Sequence, residues 1–142
     1  MTIKILSVVL FLIFTALSGF HFYWFFGGKR GLEMVIPSKD NTSRIPSVPK
    51  LATLTVGIIL VLFGALYLIK SGAITIQLSN WMVNYTYWFI PSIFILRAIG
   101  DFKYLGLLKK IKNTKFGKAD SRIFSPLCLI IGFIGMLIQL AN

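Results

Sequence analysis

Four side chains that can carry or exchange charge lie near the ends of long apolar stretches: His21, Arg97, Asp101 and Tyr104. Arg97 and Asp101 are one helical turn apart, so a helix places them on the same face. There Arg97 would hold an anionic or polar headgroup, and Asp101 would orient the guanidinium group. Histidine titrates closest to neutral pH, so His21 could exchange a proton with a bound molecule. These residue types predict a polar ligand-binding site, with Trp24 and Tyr104 as its aromatic members.

The same residues also fit a simpler arrangement. In it, Arg97 reaches the lipid headgroups and pairs with Asp101 as an interfacial anchor, while His21 donates to a neighbouring helix. Ionisable groups at membrane depth are costly and usually face a bundle interior or a cavity. The apolar segment continues beyond Arg97 through Ala98 and Ile99, which favours an interior position for the arginine. The sequence leaves both interpretations open.

Other chemistries find little support. Cys128 is the single cysteine, which excludes an intrachain disulfide and a CxxC site. His21 is the single histidine, which argues against a multi-histidine metal centre. We recognise no nucleophile–base pair, metal-binding motif or phosphate-binding loop. We therefore predict no metal and no cofactor, and the sequence does not decide whether the protein is an enzyme.

The elements that position these residues follow from composition. The chain has 142 residues, of which 56% are hydrophobic and 13% are charged, and its mean hydropathy is +0.82. Soluble domains carry about 25% charged residues, so this chain could not cover a globular core with polar surface. Apolar runs of about 20 residues are typical of membrane spans. We predict an all-α polytopic membrane protein, a four-transmembrane-helix bundle that forms a single integral membrane domain over residues 1–142.

Four apolar runs define the predicted spans. They cover about residues 5–26, 51–69, 81–100 and 126–141. Pro91 should kink the third span. Ser125 and Pro126 suit the N-cap and the first helical position of the fourth span.

The distribution of charge predicts the orientation and the partners. The net charge of +11 would suggest nucleic-acid binding in a soluble protein. Here all but two of the 15 lysines and arginines, Lys4 and Lys70, lie in or beside the loops 27–50 and 101–125. Short basic loops stay in the cytoplasm, so both termini are predicted to lie outside. The predicted partners are membrane lipids with anionic headgroups, and nucleic acid is not expected.

The segment after the third span predicts a helix on the membrane surface. Leu105, Leu108 and Ile111 recur at helical spacing with lysines between them. A basic amphipathic helix binds the bilayer interface through its apolar face and its charges. The lysines predicted to contact the membrane surface are Lys103, Lys109, Lys110 and Lys112. A solvated run of charges would explain the lysines but not the spaced apolar residues.

Small residues predict where the helices pack, because they let helix backbones approach closely in lipid. On the fourth span they form one stripe with polar neighbours: Cys128, Gly132, Gly135 and Gln139. On the first and second spans the corresponding residues are Thr15, Ser18, Gly19, Gly57 and Gly64. We expect Asn84 and Gln139 to hydrogen-bond across two helices.

Three blocks combine aromatic, basic and small residues: HFYWFFGG at 21–28, GDFKYLGLLKK at 100–110 and SPLCL at 125–129. Together they resemble the signature blocks of a bacterial membrane family, domain of unknown function 3995. The resemblance implies a four-helix, multi-pass protein of the bacterial cytoplasmic membrane, and it implies no activity and no catalytic residue. The positions it singles out are His21, Trp24, Gly100, Asp101, Tyr104 and Pro126.

Two classes of function fit these features. The first is a binding protein or enzyme that acts on a lipid or other amphiphile at a polar site near the cytoplasmic leaflet. The second is a small transporter or channel, which would need a homo-oligomer because four spans enclose little room. A third interpretation is an accessory subunit of a membrane complex, with another membrane protein as its partner.

Overall fold

The computed structural model describes residues 1–32, 49–100 and 115–142, and no strand occurs in these ranges. The helical elements are α1 (Thr2–Phe25), α2 (Lys50–Lys70), α3 (Asn80–Ile99), α4 (Lys115–Ala119), a π-helical turn (Asp120–Phe124) and α5 (Ser125–Leu140). The all-α prediction is confirmed for this part of the chain. Each of the four predicted apolar spans corresponds to one long helix.

Three helical stretches are long and apolar enough to cross a membrane: α1, α2 and Gly117–Leu140, which ends with α5. The chain is therefore a multi-pass membrane protein. α3 has 20 residues, a length of about 30 Å. It is less apolar than the others because it contains Asn80, Asn84 and Arg97. α3 is therefore not among the helices that length and hydropathy identify as membrane spans.

The last long helix begins earlier than the sequence predicts. α4 and the π-helical turn run directly into α5, so Ser125 lies inside a continuous helix. The prediction that Ser125 is an N-cap is therefore wrong. Pro126 gives a physical reason for the wide turn, because a proline supplies no N–H and its ring collides with the carbonyl group four residues earlier in a regular α-helix. A π-helical turn widens the backbone at this point.

The helices pack as two pairs, α1 with α2 and α3 with α5, and α1 also contacts α5. The α1–α2 pair meets at glycines, as the small residues predict. A methyl group added at Gly64 would lie 3.4 Å from Phe14 Cβ, and one added at Gly57 would lie 3.3 Å from the Phe22 ring. The two helices are antiparallel, because the later glycine on α2 meets the earlier phenylalanine on α1.

The predicted stripe on α5 faces α3. A methyl group added at Gly132 would lie 3.1 Å from the Pro91 carbonyl oxygen, and one added at Gly135 would lie 2.8 Å from Pro91 Cβ. One turn further along, Gln139 Nε2 donates to Asn84 Oδ1 over 3.0 Å. The predicted packing stripe and the predicted hydrogen bond across the helices are both confirmed.

The predicted packing patch on α1 is only partly correct. Ser18 is buried, but Thr15 and Gly19 are exposed. Nothing lies within 4 Å of a methyl group added at Gly19. The buried stripe of α1 consists of Ser7, Leu10, Phe14 and Ser18. Because α1 is apolar on nearly every side, its sequence does not reveal which face turns inward.

Aromatic rings join the two helix pairs. The buried core consists of Leu10, Phe14, Leu60, Tyr67, Tyr87, Ile90, Ile131 and Ile138. Phe14 of α1 stacks on Tyr67 of α2 with 5.8 Å between ring centroids, and lies 5.4 Å from the Phe94 ring of α3. Tyr67 also meets the Tyr87 ring of α3 edge-on at 5.4 Å. This continuous set of ring contacts fixes the relative depths of three helices.

Candidate functional site

An ion pair between Arg97 and Asp120 forms the charged centre of the candidate site. It lies at the basic-loop end of the bundle, where α1 and α3 end and α2 and the last long helix begin. Arg97 Nη1 lies 2.7 Å from Asp120 Oδ1. The Asp120 side chain is fully buried, whereas that of Arg97 is 28% exposed. The pair therefore joins the end of α3 to the π-helical turn before α5, and part of the guanidinium group stays exposed.

Ser125 holds the second oxygen of the Asp120 carboxylate. Its hydroxyl donates to Asp120 Oδ2 over 3.2 Å, and its backbone N–H donates to the Asp120 carbonyl oxygen. The Ser125 side chain is fully buried. The i to i+5 hydrogen bond of the π-helical turn brings the two residues together. Because Arg97 and Ser125 each hold one oxygen, the carboxylate has a fixed orientation.

The spacing in the sequence predicts Asp101, not Asp120, as the partner of Arg97. Asp101 and Tyr104 lie outside the described residues, so their predicted roles at the site stay predictions. The same holds for the membrane-surface lysines Lys103, Lys109, Lys110 and Lys112. Spacing within one helix could not reveal Asp120, because it belongs to a different helix from Arg97. One signal was available: Asp120 is among only four acidic residues of the chain and borders the fourth span.

His21 packs on the neighbouring helix but hydrogen-bonds within its own. Its Nδ1 lies 2.8 Å from the Leu17 carbonyl oxygen. A carbonyl oxygen only accepts, so Nδ1 is the donor in this contact. A methyl group added at Gly57 of α2 would lie 3.4 Å from His21 Cβ. The simpler interpretation expected His21 to donate to a neighbouring helix. The Nδ1 of His21 instead donates to a carbonyl oxygen of α1 itself.

The Phe14–Phe94 contact allows the depths of His21 and Arg97 to be compared. At 1.5 Å per residue, His21 lies about 10 Å beyond Phe14 along α1, and Arg97 lies about 5 Å beyond Phe94 along α3. His21 is therefore about one helical turn nearer to the basic-loop end. The direct or water-bridged approach of His21 to Arg97 stays a prediction.

Trp24 and Tyr23 fasten the chain that follows α1. Trp24 Nε1 donates to the Arg30 carbonyl oxygen over 2.9 Å, and the Arg30 N–H donates to the Tyr23 hydroxyl over 3.4 Å. The Tyr23 ring packs where a side chain at Gly28 would lie. Gly27 adopts a φ of 102°, which glycine tolerates without strain. The single N–H of the indole is used inside the protein, so a ligand contact by Trp24 would involve its ring.

A groove on the outward face of α1 ends at a cation. Its volume is about 750 Å³, and it is lined by Ala16, Gly19, Phe20, Tyr23 and Arg30. The four helical members have the spacing i, i+3, i+4 and i+7 and form one face of α1. Gly19 keeps the groove open because nothing else fills the space beside it. The groove combines apolar lining with one cationic residue, Arg30, and the sequence alone did not predict it.

Within residues 1–32, 49–100 and 115–142, no three His, Cys, Asp or Glu side chains are grouped so that they could hold a metal ion. The chemistry of the described site is therefore that of an arginine with a positioned carboxylate, beside aromatic and apolar surface. Such a site can bind and orient an anionic group.

Comparison with protein families gives a match over most of the chain. The family described as Protein of unknown function (DUF3995) matches residues 14–134. The matched range includes His21, Trp24, Arg97 and Asp120. No curated protein and no solved structure matches the chain.

Proposed function

This chain belongs to the DUF3995 family, and we propose that it binds an anionic amphiphile, such as a membrane lipid, at the basic-loop end of its helical bundle. The observation that carries the proposal is the Arg97–Asp120 pair, in which the carboxylate is fully buried and the guanidinium group is 28% exposed. Charged groups within membrane helices are costly and commonly mark a ligand or ion site.

Arg97 can hold Asp120 and a ligand at the same time. A guanidinium group has five N–H donors, and the Nη1 side faces Asp120. The carboxylate keeps the planar group in one orientation, so its exposed donors can meet a phosphate or carboxylate in a bidentate arrangement. In this role Asp120 positions Arg97 and does not touch the ligand.

The groove on α1 supports a lipid as the ligand class. Its apolar lining can accept an acyl chain, and Arg30 stands where the groove reaches the basic-loop end. α1 and α3 end on the same side of the bundle, so Arg30 and Arg97 would both meet the headgroups of one leaflet. The net charge of +11 would add a general attraction for anionic lipids.

The proposal places α3 as a fourth membrane crossing. Its outward face is apolar: Phe89 is 59% exposed and Leu96 is 65% exposed. Its polar residues Asn84 and Arg97 turn instead toward partners on the last long helix and the turn before it. Four crossings put both termini on one side, and the basic loops would keep them outside. Resemblance to a bacterial family supports the bacterial cytoplasmic membrane.

The test is native mass spectrometry of the purified full chain, titrated with phosphatidylglycerol or phosphatidylcholine. Arg97→Gln alone would break the ion pair of the buried Asp120, so the informative protein is the double variant Arg97→Gln/Asp120→Asn. It removes both charges and keeps hydrogen-bonding groups of similar shape. A hydrogen bond to a charged group contributes about 1.5–3 kcal/mol. We expect phosphatidylglycerol to bind the double variant about tenfold or more weakly than the parent.

Arg122→Gln is the matched control, because Arg122 is an exposed arginine of the same π-helical turn. Its affinity for phosphatidylglycerol should stay close to that of the parent. Phosphatidylcholine has no net negative charge, so its affinity should differ much less between the proteins. Equal phosphatidylglycerol affinity of the double variant and the Arg122 variant would contradict the proposal.

A further inference from the structure

We infer that the opposite end of the bundle carries a second anion-binding site, built around Lys70. A pocket of about 540 Å³ lies between the end of α2, the loop that follows it and the first turns of α3. Its polar lining comes from Lys70, Gln77, Asn80 and Tyr87. Along α3, Asn80 and Arg97 are about 25 Å apart, so this outer pocket is separate from the Arg97–Asp120 pair.

Lys70 has no carboxylate partner among the residues that the structure describes. The one acidic residue in these ranges is Asp120, and it pairs with Arg97 at the far end. Lys70 is half-buried at the end of α2, where its charge faces the partly negative helix terminus. Partial burial of a cation costs free energy when no anion pairs with it, and an anionic ligand would offset that cost.

Tyr87 holds the Lys70 ammonium in place. Lys70 Nζ lies over the Tyr87 ring, 4.9 Å from its centroid. The ring itself is fixed, because its hydroxyl donates to the Leu66 carbonyl oxygen over 2.6 Å and its edge meets Tyr67. A cation on the face of an aromatic ring is attracted to it and loses freedom. The ammonium group has three N–H donors, and the ring does not use all of them.

The rest of the outer pocket fits an anionic headgroup with an apolar part. The side-chain amides of Gln77 and Asn80 can donate to anionic oxygens, and both residues are exposed at the pocket mouth. Ile76 and Val83 supply apolar wall. The ligand chemistry is a phosphate or carboxylate group, delivered either by a lipid of the outer leaflet or by a small free anion.

A lysine that merely extends to the membrane surface would behave differently. Such a lysine would attract anionic lipids to the whole surface around it, so a cysteine outside the pocket would be protected from labelling as much as one inside it. A local readout therefore distinguishes the two cases. Gln77 lines the pocket, whereas Thr75 is exposed in the same loop and does not line it. Gln77→Cys and Thr75→Cys, each with Cys128→Ala, give two matched positions for thiol labelling.

The experiment measures the labelling rate of each cysteine with a neutral maleimide, using the full chain in phosphatidylglycerol and in phosphatidylcholine nanodiscs. We expect phosphatidylglycerol to slow labelling at position 77 about fivefold relative to position 75, the effect of one cation near an anionic headgroup. Lys70→Gln should abolish this difference. Lys4→Gln should preserve it, because Lys4 is a lysine of the same end that does not line the pocket.

A second arm adds inorganic phosphate to the phosphatidylcholine nanodiscs. If phosphate slows labelling at position 77 and Lys70→Gln abolishes this effect, the anionic group comes from a free anion. If phosphate has no effect but phosphatidylglycerol protects position 77, the group comes from the lipid. The inference is overturned if neither addition protects position 77 in a Lys70-dependent way. The result does not depend on Arg97, so the two proposals stand or fall separately.

Discussion

Arg97 Nη1 and Asp120 Oδ1 lie 2.7 Å apart although they belong to different helices. The guanidinium group is partly exposed and the carboxylate is not. This asymmetry makes the energetic consequences of losing each partner unequal, because a buried charge without a partner costs more than one that water or headgroups can still reach.

Arg97→Gln should destabilise the protein more than Asp120→Asn. The first change removes the cation that pairs with the fully buried carboxylate, for which we expect a loss of about 3–5 kcal/mol in the free energy of unfolding. The second leaves an arginine that is 28% exposed, so we expect a loss at or below the lower end of that range. Thermal unfolding in detergent, followed by circular dichroism, measures both.

Combining the two changes should recover part of the loss, since no unpaired charge remains. Asp101→Asn, measured alongside, tests the pair that the sequence predicts. If Asp101→Asn lowered the free energy of unfolding as much as Asp120→Asn does, Arg97 would have two carboxylate partners. If Asp120→Asn destabilised the protein more than Arg97→Gln, the assigned burial of the carboxylate would be incorrect.

Gly135→Ala should disturb the contact between α3 and α5. The added methyl group would lie 2.8 Å from Pro91 Cβ and 3.0 Å from the Tyr67 hydroxyl oxygen, which is too close without a shift of one helix. Overpacking of this kind typically costs about 1–3 kcal/mol. The midpoint of thermal unfolding in detergent should fall accordingly.

Gly19→Ala is the matched control for that change. Nothing lies within 4 Å of its added methyl group, and alanine is a better helix former than glycine by about 1 kcal/mol. Its thermal midpoint should equal or exceed that of the parent. A loss as large as that of Gly135→Ala would show that the exposed face of α1 is covered in the folded protein.

The orientation of the chain can be tested with single cysteines in a Cys128→Ala background. Thr2→Cys and Thr75→Cys should react with a membrane-impermeant thiol reagent added to intact cells, and Phe116→Cys should not. The reason is that short basic loops remain in the cytoplasm. Permeabilised cells, in which all three positions should react, provide the control. The opposite labelling pattern would place the basic loops outside.

The lysines of the segment after α3 should anchor it to anionic bilayers. Changing Lys109, Lys110 and Lys112 together to glutamine should weaken this attachment by about 1 kcal/mol for each lysine. Protease accessibility of the segment in anionic and neutral nanodiscs measures the effect. Unchanged accessibility in the anionic discs would mean that these lysines serve only to orient the chain.

The sequence predicted features that depend on local composition. Long apolar runs locate helices without any knowledge of their neighbours, and the spacing of Gly132, Gly135 and Gln139 identified a packing face because small and polar residues are rare in α5. The Asn84–Gln139 hydrogen bond followed, since amide side chains on neighbouring membrane helices can hydrogen-bond to each other.

Other features that depend on the meeting of distant segments were missed. Asp120 escaped because its partner is on another helix, and a search for charges one turn apart led to Asp101 instead. Thr15 and Gly19 were assigned to an interface because α1 is apolar all round, so its inward face is set by how α1 docks on α2. The pocket at Lys70 is lined by residues of two helices and of the loop between them, so it has no counterpart in a linear pattern.

The π-helical turn also sets the direction in which Asp120 points relative to the residues of α5. In a regular α-helix, residues five apart point about 140° away from each other around the axis. The turn removes this offset between Asp120 and Ser125, whose hydroxyl reaches the carboxylate. Ser125 is in register with the face of α5 that packs on α3 through Gly132. The wide turn thus brings the carboxylate onto the face of α5 that packs on α3, and deletion of one residue within the turn would leave Asp120 and Ser125 four residues apart, a spacing of about 40° that keeps the carboxylate on that face in a regular α-helix.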